Sequence, residues 1–319
     1  MYRKIMGFLE AWKESEHRKP LILQGARQVG KTYSILEFGR THYENVAYFN
    51  FETNPKLNET FEENISPDYL IPILSHIAGQ TIVKEKTLIV FDEVHLCGRA
   101  LTSLKYFCEN APDYHIIVAG SLLGVAVNRA KFSFPVGKVD MKTLYPMDME
   151  EFMLALGEDD LVEQIKKCFQ TDTPLPSALH DAAMQLYRQY LVVGGMPECV
   201  MQFAETKDYI LVRHTQDTIL ASYLNDMSKY NNLNEIKKTR LAYDNITVQL
   251  SKKNTRFQYK LIKKGGRASE FENAIEWLCL SGIVSQVYKV EQIKKPLENY
   301  RDIDAFKIYV SDLGLLCAK

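Results

Sequence analysis

The sequence predicts an α/β fold: a parallel sheet flanked by helices, followed by a largely helical second part. Three observations carry this. Short apolar runs alternate with helix-length segments through residues 20–120, the pattern of strands joined by helical crossovers. The first run, Leu21–Leu23, leads into Gly25-Ala-Arg-Gln-Val-Gly30-Lys31-Thr32 and then into a helical pattern. The third run, Thr87–Phe91, ends in Asp92-Glu93, at the carboxyl end of a strand, where open α/β sheets bind ligands.

Taken in order, Tyr2, Ile5, Met6, Leu9 and Trp12 fall at helical spacing, so a short amphipathic helix precedes the first strand. Strands are expected at Leu21–Leu23, Val46–Phe51, Thr87–Phe91 and His115–Ala119. From Phe132 to Phe152 the chain reads as extended segments punctuated by Pro135 and Pro146, leading into a helix at Met149. The pattern is then helical to about Asn232, broken by Gln170–Ser177 and by Gly194–Glu198. Residues 233–319 hold helix-length pieces and then two β-like runs, Ile283–Val290 and Ala305–Val310, an order that suggests a winged-helix module.

Composition bounds the function loosely. A chain of 319 residues accommodates two or three domains, and a net charge of −1 exerts no global pull toward nucleic acid or membrane. The six cysteines are scattered without a C-x-x-C pair or Cys–His metal spacing, which implies a reduced, cytoplasmic chain. The start of the chain does not read as a signal peptide. The longest apolar run, Ile116–Val127, is too short and too interrupted to span a bilayer, so no membrane partner is expected.

The glycine-containing loop matches the phosphate-cradling pattern G-x-x-x-x-G-K-T throughout. Its glycines let backbone N–H groups turn toward phosphate oxygens, and the helix that follows adds its positive end. Gly25, Ala26, Arg27, Gln28, Val29, Gly30, Lys31, Thr32 and Tyr33 are therefore the expected nucleotide-binding residues. Lys31 would reach the β- and γ-phosphates, and the Thr32 hydroxyl would ligate Mg²⁺. Asp92 suits the role of holding that metal, and Glu93 that of orienting or deprotonating the attacking water. Ser121, after the buried run Ile116–Ala119, suits a sensor of the γ-phosphate, although a helix-capping serine reads identically. Expected cofactors are ATP and Mg²⁺. A second carboxylate beside the first favours hydrolysis over transfer to a metabolite, and the absence of N-K-x-D disfavours guanine nucleotides.

The segments "GARQVGKT", "FDEVH", "AGSLLG", "LYPMDMEEF", "YLVVGGMPECV" and "LNDMSKYN" together resemble a family of bacterial and archaeal AAA+-type P-loop ATPases that carry a C-terminal DUF4143 domain. The resemblance implies an ATPase core over 1–150 and a helical lid over 151–232. A winged-helix-like domain over 233–305 would follow, with the start of a truncated C-terminal domain at 306–319. It also implies that the Gly194-Gly195-Met-Pro197 turn apposes the lid to the nucleotide, with Pro197 in contact. Relatives carry an arginine where this chain has Lys138. A charge-stabilising finger at Lys138 is therefore doubtful, with Arg129 the nearest alternative.

Between Asn232 and Glu270 ten basic residues (Lys237, Lys238, Arg240, Lys252, Lys253, Arg256, Lys260, Lys263, Lys264 and Arg267) face three acidic ones. Contact with DNA phosphates is one reading; a solvated face or a protein-binding module is the other. Self-association is also open. The expected activity is Mg²⁺-dependent ATP hydrolysis coupled to movement of the lid. The rival is a nucleotide-gated DNA- or protein-binding switch with little turnover.

Overall fold

The computed structural model describes residues 1–120, 134–229 and 233–319. The chain divides into two compact units, Tyr2–Tyr145 and Pro146–Lys319, the second also taking in Met1.

The first unit is built on five parallel strands: β1 (Leu21–Gln24), β2 (Asn45–Asn50), β3 (Thr87–Asp92), β4 (His115–Ala119) and β5 (Asp140–Thr143). They lie in the order β2-β3-β4-β1-β5. Strands β3 and β4 are buried at every residue, because helices cover both faces of a parallel sheet and leave no solvent side for polar alternation. Helices α1 (Ile5–Lys13), α2 (Lys31–His42), α3 (Leu57–Glu63), α4 (Pro67–Ala78) and α5 (Gly98–Asn110) provide that cover. On one side Phe51, Phe61 and Phe91 pack as an aromatic triad with ring centroids 5.5–5.9 Å apart. Edge strand β5 is only partly buried, and its residues Asp-Met-Lys-Thr lack the apolar run that marks its neighbours. For that reason the sequence signals an extended segment there and no fifth strand of the sheet.

The second unit opens at α6 (Met149–Ala155). Asp148 accepts the Glu151 N–H while the Glu151 carboxylate accepts the Asp148 N–H, a reciprocal cap that fixes the helix start. Helices α7 (Asp159–Gln170), α8 (Ser177–Val193), α9 (Pro197–Thr206), α10 (Tyr209–Lys229), α11 (Leu233–Leu250) and α12 (Ala268–Leu280) follow. An antiparallel pair, β6 (Val284–Val290) and β7 (Arg301–Val310), and a last short helix α13 (Leu313–Ala318) complete it.

Residues 233–305 thus hold two helices and most of a hairpin, with only a short 3₁₀ turn, Tyr259–Leu261, between the helices. Strand β7 runs through the boundary expected at 305/306. The closing segment is tied into this unit: the buried Asp312 carboxylate accepts backbone N–H bonds from Gly195 (2.6 Å), Leu315 (2.8 Å) and Gly314. Burial pushes the Asp312 pKa up, against these three donors, which favour the carboxylate. The Gly194-Gly195 pair exists for the same packing. A Cβ on Gly194, which has φ +77°, would lie 2.3 Å from Asp312 Oδ1, and one on Gly195 would lie 2.0 Å from the Met147 carbonyl oxygen.

Candidate functional site

The loop 25–30 leaves the C-terminal end of β1, and its backbone conformation sets its shape. Gly25, Gln28 and Gly30 all have positive φ, at 149°, 65° and 90°. Such alternation turns successive N–H groups toward one side, the geometry of an anion-binding nest. Gly25 is also required by space, since a Cβ there would meet the Leu144 carbonyl oxygen at 2.2 Å. Gly30 caps α2 in the left-handed region, so the helix N-terminus begins at Lys31.

Lys31 is 7% exposed, and its ammonium donates to the carbonyls of Gly25 (2.9 Å) and Ala26 (2.7 Å). Burial lowers its pKa to about 8; the charges of Glu93 and Asp92 oppose that drop, and Arg27 adds to it. Next along the helix, the Thr32 hydroxyl donates to Asp92 Oδ2 at 2.9 Å, across strand β4, which lies between β1 and β3. Tyr33, also on the first turn of α2, is exposed.

Asp92 is buried at the end of β3 and held from three directions. Besides Thr32, the Tyr48 hydroxyl donates to Oδ2 at 2.7 Å and the Glu93 N–H to Oδ1 at 2.9 Å. Tyr48 reaches it from the neighbouring strand, where Asn50 pairs with Asp92 in register. Burial pushes the Tyr48 phenol up to about 12, against the Asn50 amide and with the Asp92 carboxylate, so it is a neutral donor over the ordinary pH range. Glu93 follows in a left-handed conformation and starts a 3₁₀ turn, Val94–Leu96.

Two residues of this neighbourhood escape sequence reasoning. Tyr48 reads as a strand residue, and only the β2–β3 register shows that it faces the carboxylate. Arg3 is buried under the loop, donating to the Val29 carbonyl at 2.9 Å and to the Tyr145 carbonyl at 2.8 Å. An arginine three residues from the start of a chain carries no local signal of that role.

Of the other expected residues, Ser121 and Arg129 lie outside the described residues. Pro197 is the first residue of α9 in the second unit, a position where its missing N–H costs nothing. Lys138 precedes β5, whose Asp140 pairs with Leu21, so it lies at the N-terminal end of the strands and the phosphate loop at the C-terminal end. Its ammonium is 3.0 Å from Glu109, and that placement keeps it from its own loop.

A Thr hydroxyl and a carboxylate that share a hydrogen bond form an all-oxygen pair suited to Mg²⁺. Among the described residues no cluster of three or more metal-binding side chains occurs. Mg²⁺ commonly takes one or two protein oxygens and completes its octahedron with phosphate and water.

The basic segment of the second unit is partly neutralised. Lys238 pairs with Glu235 at 2.9 Å and Lys263 with Glu270 at 3.5 Å, while Arg256 donates to the Asp304 carbonyl. Lys237, Lys252, Lys253, Lys260, Lys264 and Arg267 are exposed and make no ion pair among the described residues. Arg256, Lys260 and Arg267 line an open groove of about 990 Å³ with Tyr259, Tyr288 and Arg301, and Glu272, Glu276 and Asp304 also face it. No described helix is long and apolar enough to cross a membrane.

Residues 17–153 match the family model of an AAA domain, and residues 184–319 match a domain of unknown function, DUF8612. The expected DUF4143 domain is thus replaced by a different one. No curated protein sequence matches the chain. Among solved structures, the Walker-type ATPase PABY2304 of Pyrococcus abyssi is 13% identical with a TM-score of 0.60, over 99% of this chain and 95% of that one. The ORC2 protein of Aeropyrum pernix is 11% identical with a TM-score of 0.48, over 99% and 92%. The RuvB Holliday junction branch migration motor of Thermotoga maritima is 15% identical with a TM-score of 0.36, over 88% and 87%. At such identities the Pyrococcus likeness speaks for the fold alone. With its five-stranded order and AAA domain match, the chain has the fold of an AAA-type P-loop ATPase.

Proposed function

We propose that this chain binds ATP with Mg²⁺ at loop 25–33 and hydrolyses it, the energy driving movement between core and lid. The observation that carries the reading is the 2.9 Å contact between Thr32 and Asp92, which joins the loop to the β3 carboxylates beside a buried Lys31. In this reading the loop amides and Lys31 hold the phosphates, and Lys31 exchanges the Gly25 and Ala26 carbonyls for phosphate oxygens. Thr32 and Asp92 hold the metal, which when bound neutralises charge on the phosphates. Glu93 orients the attacking water and accepts its proton, Ser121 monitors the γ-phosphate, and Pro197 borders the nucleotide from the lid. Positioning and charge stabilisation, with little covalent work, are what phosphoryl transfer asks of a protein.

Lys31→Ala is expected to lose ATP binding, and Glu93→Gln to keep binding and lose turnover, measured by calorimetry and phosphate release. Unchanged ATP affinity in Lys31→Ala overturns the assignment.

A second reading is favoured by the six exposed cations that make no ion pair among the described residues: the chain is a nucleotide-gated switch whose basic segment, 237–267, holds DNA phosphates. Turnover and DNA retention with and without duplex at two salt concentrations separate the two. Stimulation by DNA favours an ATPase acting on nucleic acid, and slow turnover with tight nucleotide retention favours the switch.

A further inference from the structure

One residue beside the site has no part in the hydrolysis reading above. His95 follows the Asp92-Glu93 pair by two positions, where an exposed or capping histidine is the ordinary expectation. In the structure its side chain is only 7% exposed, and its Nδ1 lies 3.1 Å from Glu93 Oε2, the Glu93 side chain being 19% exposed. Both contacting atoms are shut off from solvent, and they meet at contact distance without the angular geometry of a hydrogen bond.

The backbone makes this contact. Glu93 has φ 51° and ψ 37°, the left-handed region that a side-chain-bearing residue enters only when its surroundings compel it. The short turn that follows, Val94–Leu96, folds His95 back beside the glutamate instead of carrying it away along the strand direction. The chain therefore accepts local strain at the one residue assigned to water activation and places a buried ring against its carboxylate.

A base that aligns a water molecule must itself be aligned, and a long, flexible glutamate is poorly directed unless one oxygen is fixed. Burial makes such a contact count for more, since a carboxylate away from water depends on the polar groups around it. We infer that His95 is a positioning residue for Glu93: its imidazole fixes one carboxylate oxygen and so sets the direction in which the side chain meets the attacking water. This rests on the assignment of Glu93 to water activation. It predicts an effect on turnover and none on nucleotide affinity.

The test compares Glu93→Gln, His95→Ala, His95→Asn and the double variant Glu93→Gln/His95→Ala. His95→Ala is expected to lower kcat by about tenfold while KM and the affinity for ATP stay within about twofold. His95→Asn places an amide nitrogen near the position of Nδ1 and is expected to recover most of the lost rate. In the Glu93→Gln background, His95→Ala is expected to change the residual rate by less than about twofold, because the group it positions is already gone. An independent readout needs no turnover. In nucleotide-free protein the His95 imidazole ¹⁵N resonances, assigned by their disappearance in His95→Asn, are expected to move in Glu93→Gln.

Unchanged kcat in His95→Ala overturns the inference. So does an equal fractional loss with and without Glu93, which marks a general structural effect. Where His95→Ala does not fold, His95 resonances indifferent to Glu93→Gln overturn it instead. Wild-type turnover in Glu93→Gln overturns the hydrolysis assignment itself, whereas loss there with an intact His95→Ala removes only the positioning role.

Discussion

Replacing Lys31 by methionine keeps an unbranched stem of similar reach and removes a charge that its surroundings disfavour. Burial holds its pKa at about 8 against an ordinary value of 10.5. At about 1.4 kcal/mol per pH unit, keeping the ammonium charged in the folded protein costs about 3 kcal/mol. The substitution also removes two charge-assisted hydrogen bonds, to Gly25 and Ala26, each contributing about 1.5 kcal/mol or more. The two effects offset each other at pH 7, so the nucleotide-free variant is expected to lie within about 1 kcal/mol of the wild type there. The sign with pH follows from proton counting. Below about pH 8 both folded and unfolded Lys31 are protonated, and the cost is fully present. Between about 8 and 10.5 the folded state releases its proton first, so the unfolded state binds more protons and wild-type stability rises with pH. The wild type should therefore gain about 3 kcal/mol on the variant across that window. Urea melts at pH 7, 9 and 10.5 test this. Mg·ATP at a hundred times its Kd should add about 2.7 kcal/mol to the wild type and nothing to the variant. A stability difference between Lys31→Met and wild type that is independent of pH refutes the reasoning.

Three further outcomes are expected. Tyr48→Phe removes a donor to Asp92 and should raise the Mg²⁺ concentration needed for half-maximal ATP binding by about five- to tenfold, a loss of about 1–1.4 kcal/mol, with metal-free binding unchanged; a Mg²⁺ titration decides it. Arg3→Ala leaves the Val29 and Tyr145 carbonyls without their buried donor and should cost about 2–3 kcal/mol in thermal stability, so an unaltered melt rules out Arg3 as a brace for the loop. Gly195→Ala drives a Cβ into the Met147 backbone and should destabilise by more than about 3 kcal/mol, whereas Gly7→Ala, in open space within α1, should stabilise by about 0.5–1 kcal/mol; calorimetry of the pair compares them directly.

What was legible in the sequence follows burial. β3 and β4 stand out because both faces of each strand are covered, leaving uninterrupted apolar runs, and the observed spans differ from expectation by a residue at most. β5 is an edge strand joined to β1 by backbone pairing and by a Gln24–Thr143 side-chain bond, and neither leaves an apolar run in the sequence. The glycine loop declares itself because positive φ and close approach restrict residue type at Gly25 and Gly30. Asp312 and Arg3 gave no such signal. The distant partners, Val29 and Tyr145 for Arg3 and Gly195 for Asp312, lie more than 25 positions away, and a buried arginine or aspartate is spelled no differently from an exposed one. The helix-length pieces and two β-like runs expected after residue 233 are present as α11, α12, β6 and β7, with a single 3₁₀ turn between the helices, but that order alone does not make a winged helix.

The placement of β4 has a consequence for how Asp92 is aimed. With a strand inserted between β1 and β3, loop and carboxylate are not neighbours through the backbone, and their meeting depends on side chains alone. Three separate elements contribute: Thr32 from the first turn of α2, Tyr48 from β2, and the N–H of Glu93 from the turn after β3. Because side chains on a strand alternate between faces, a slip of one residue between β2 and β3 would carry Tyr48 to the opposite side of the sheet. The register Asn50↔Asp92 is protected against that slip by Ala47, Phe49 and Phe51, whose burial specifies which face β2 turns inward. Aromatic packing on one side of the sheet thereby sets the direction of a carboxylate at its end. Core substitutions at Phe49 or Phe51 should accordingly disturb the Mg²⁺ dependence of nucleotide binding before they abolish the fold.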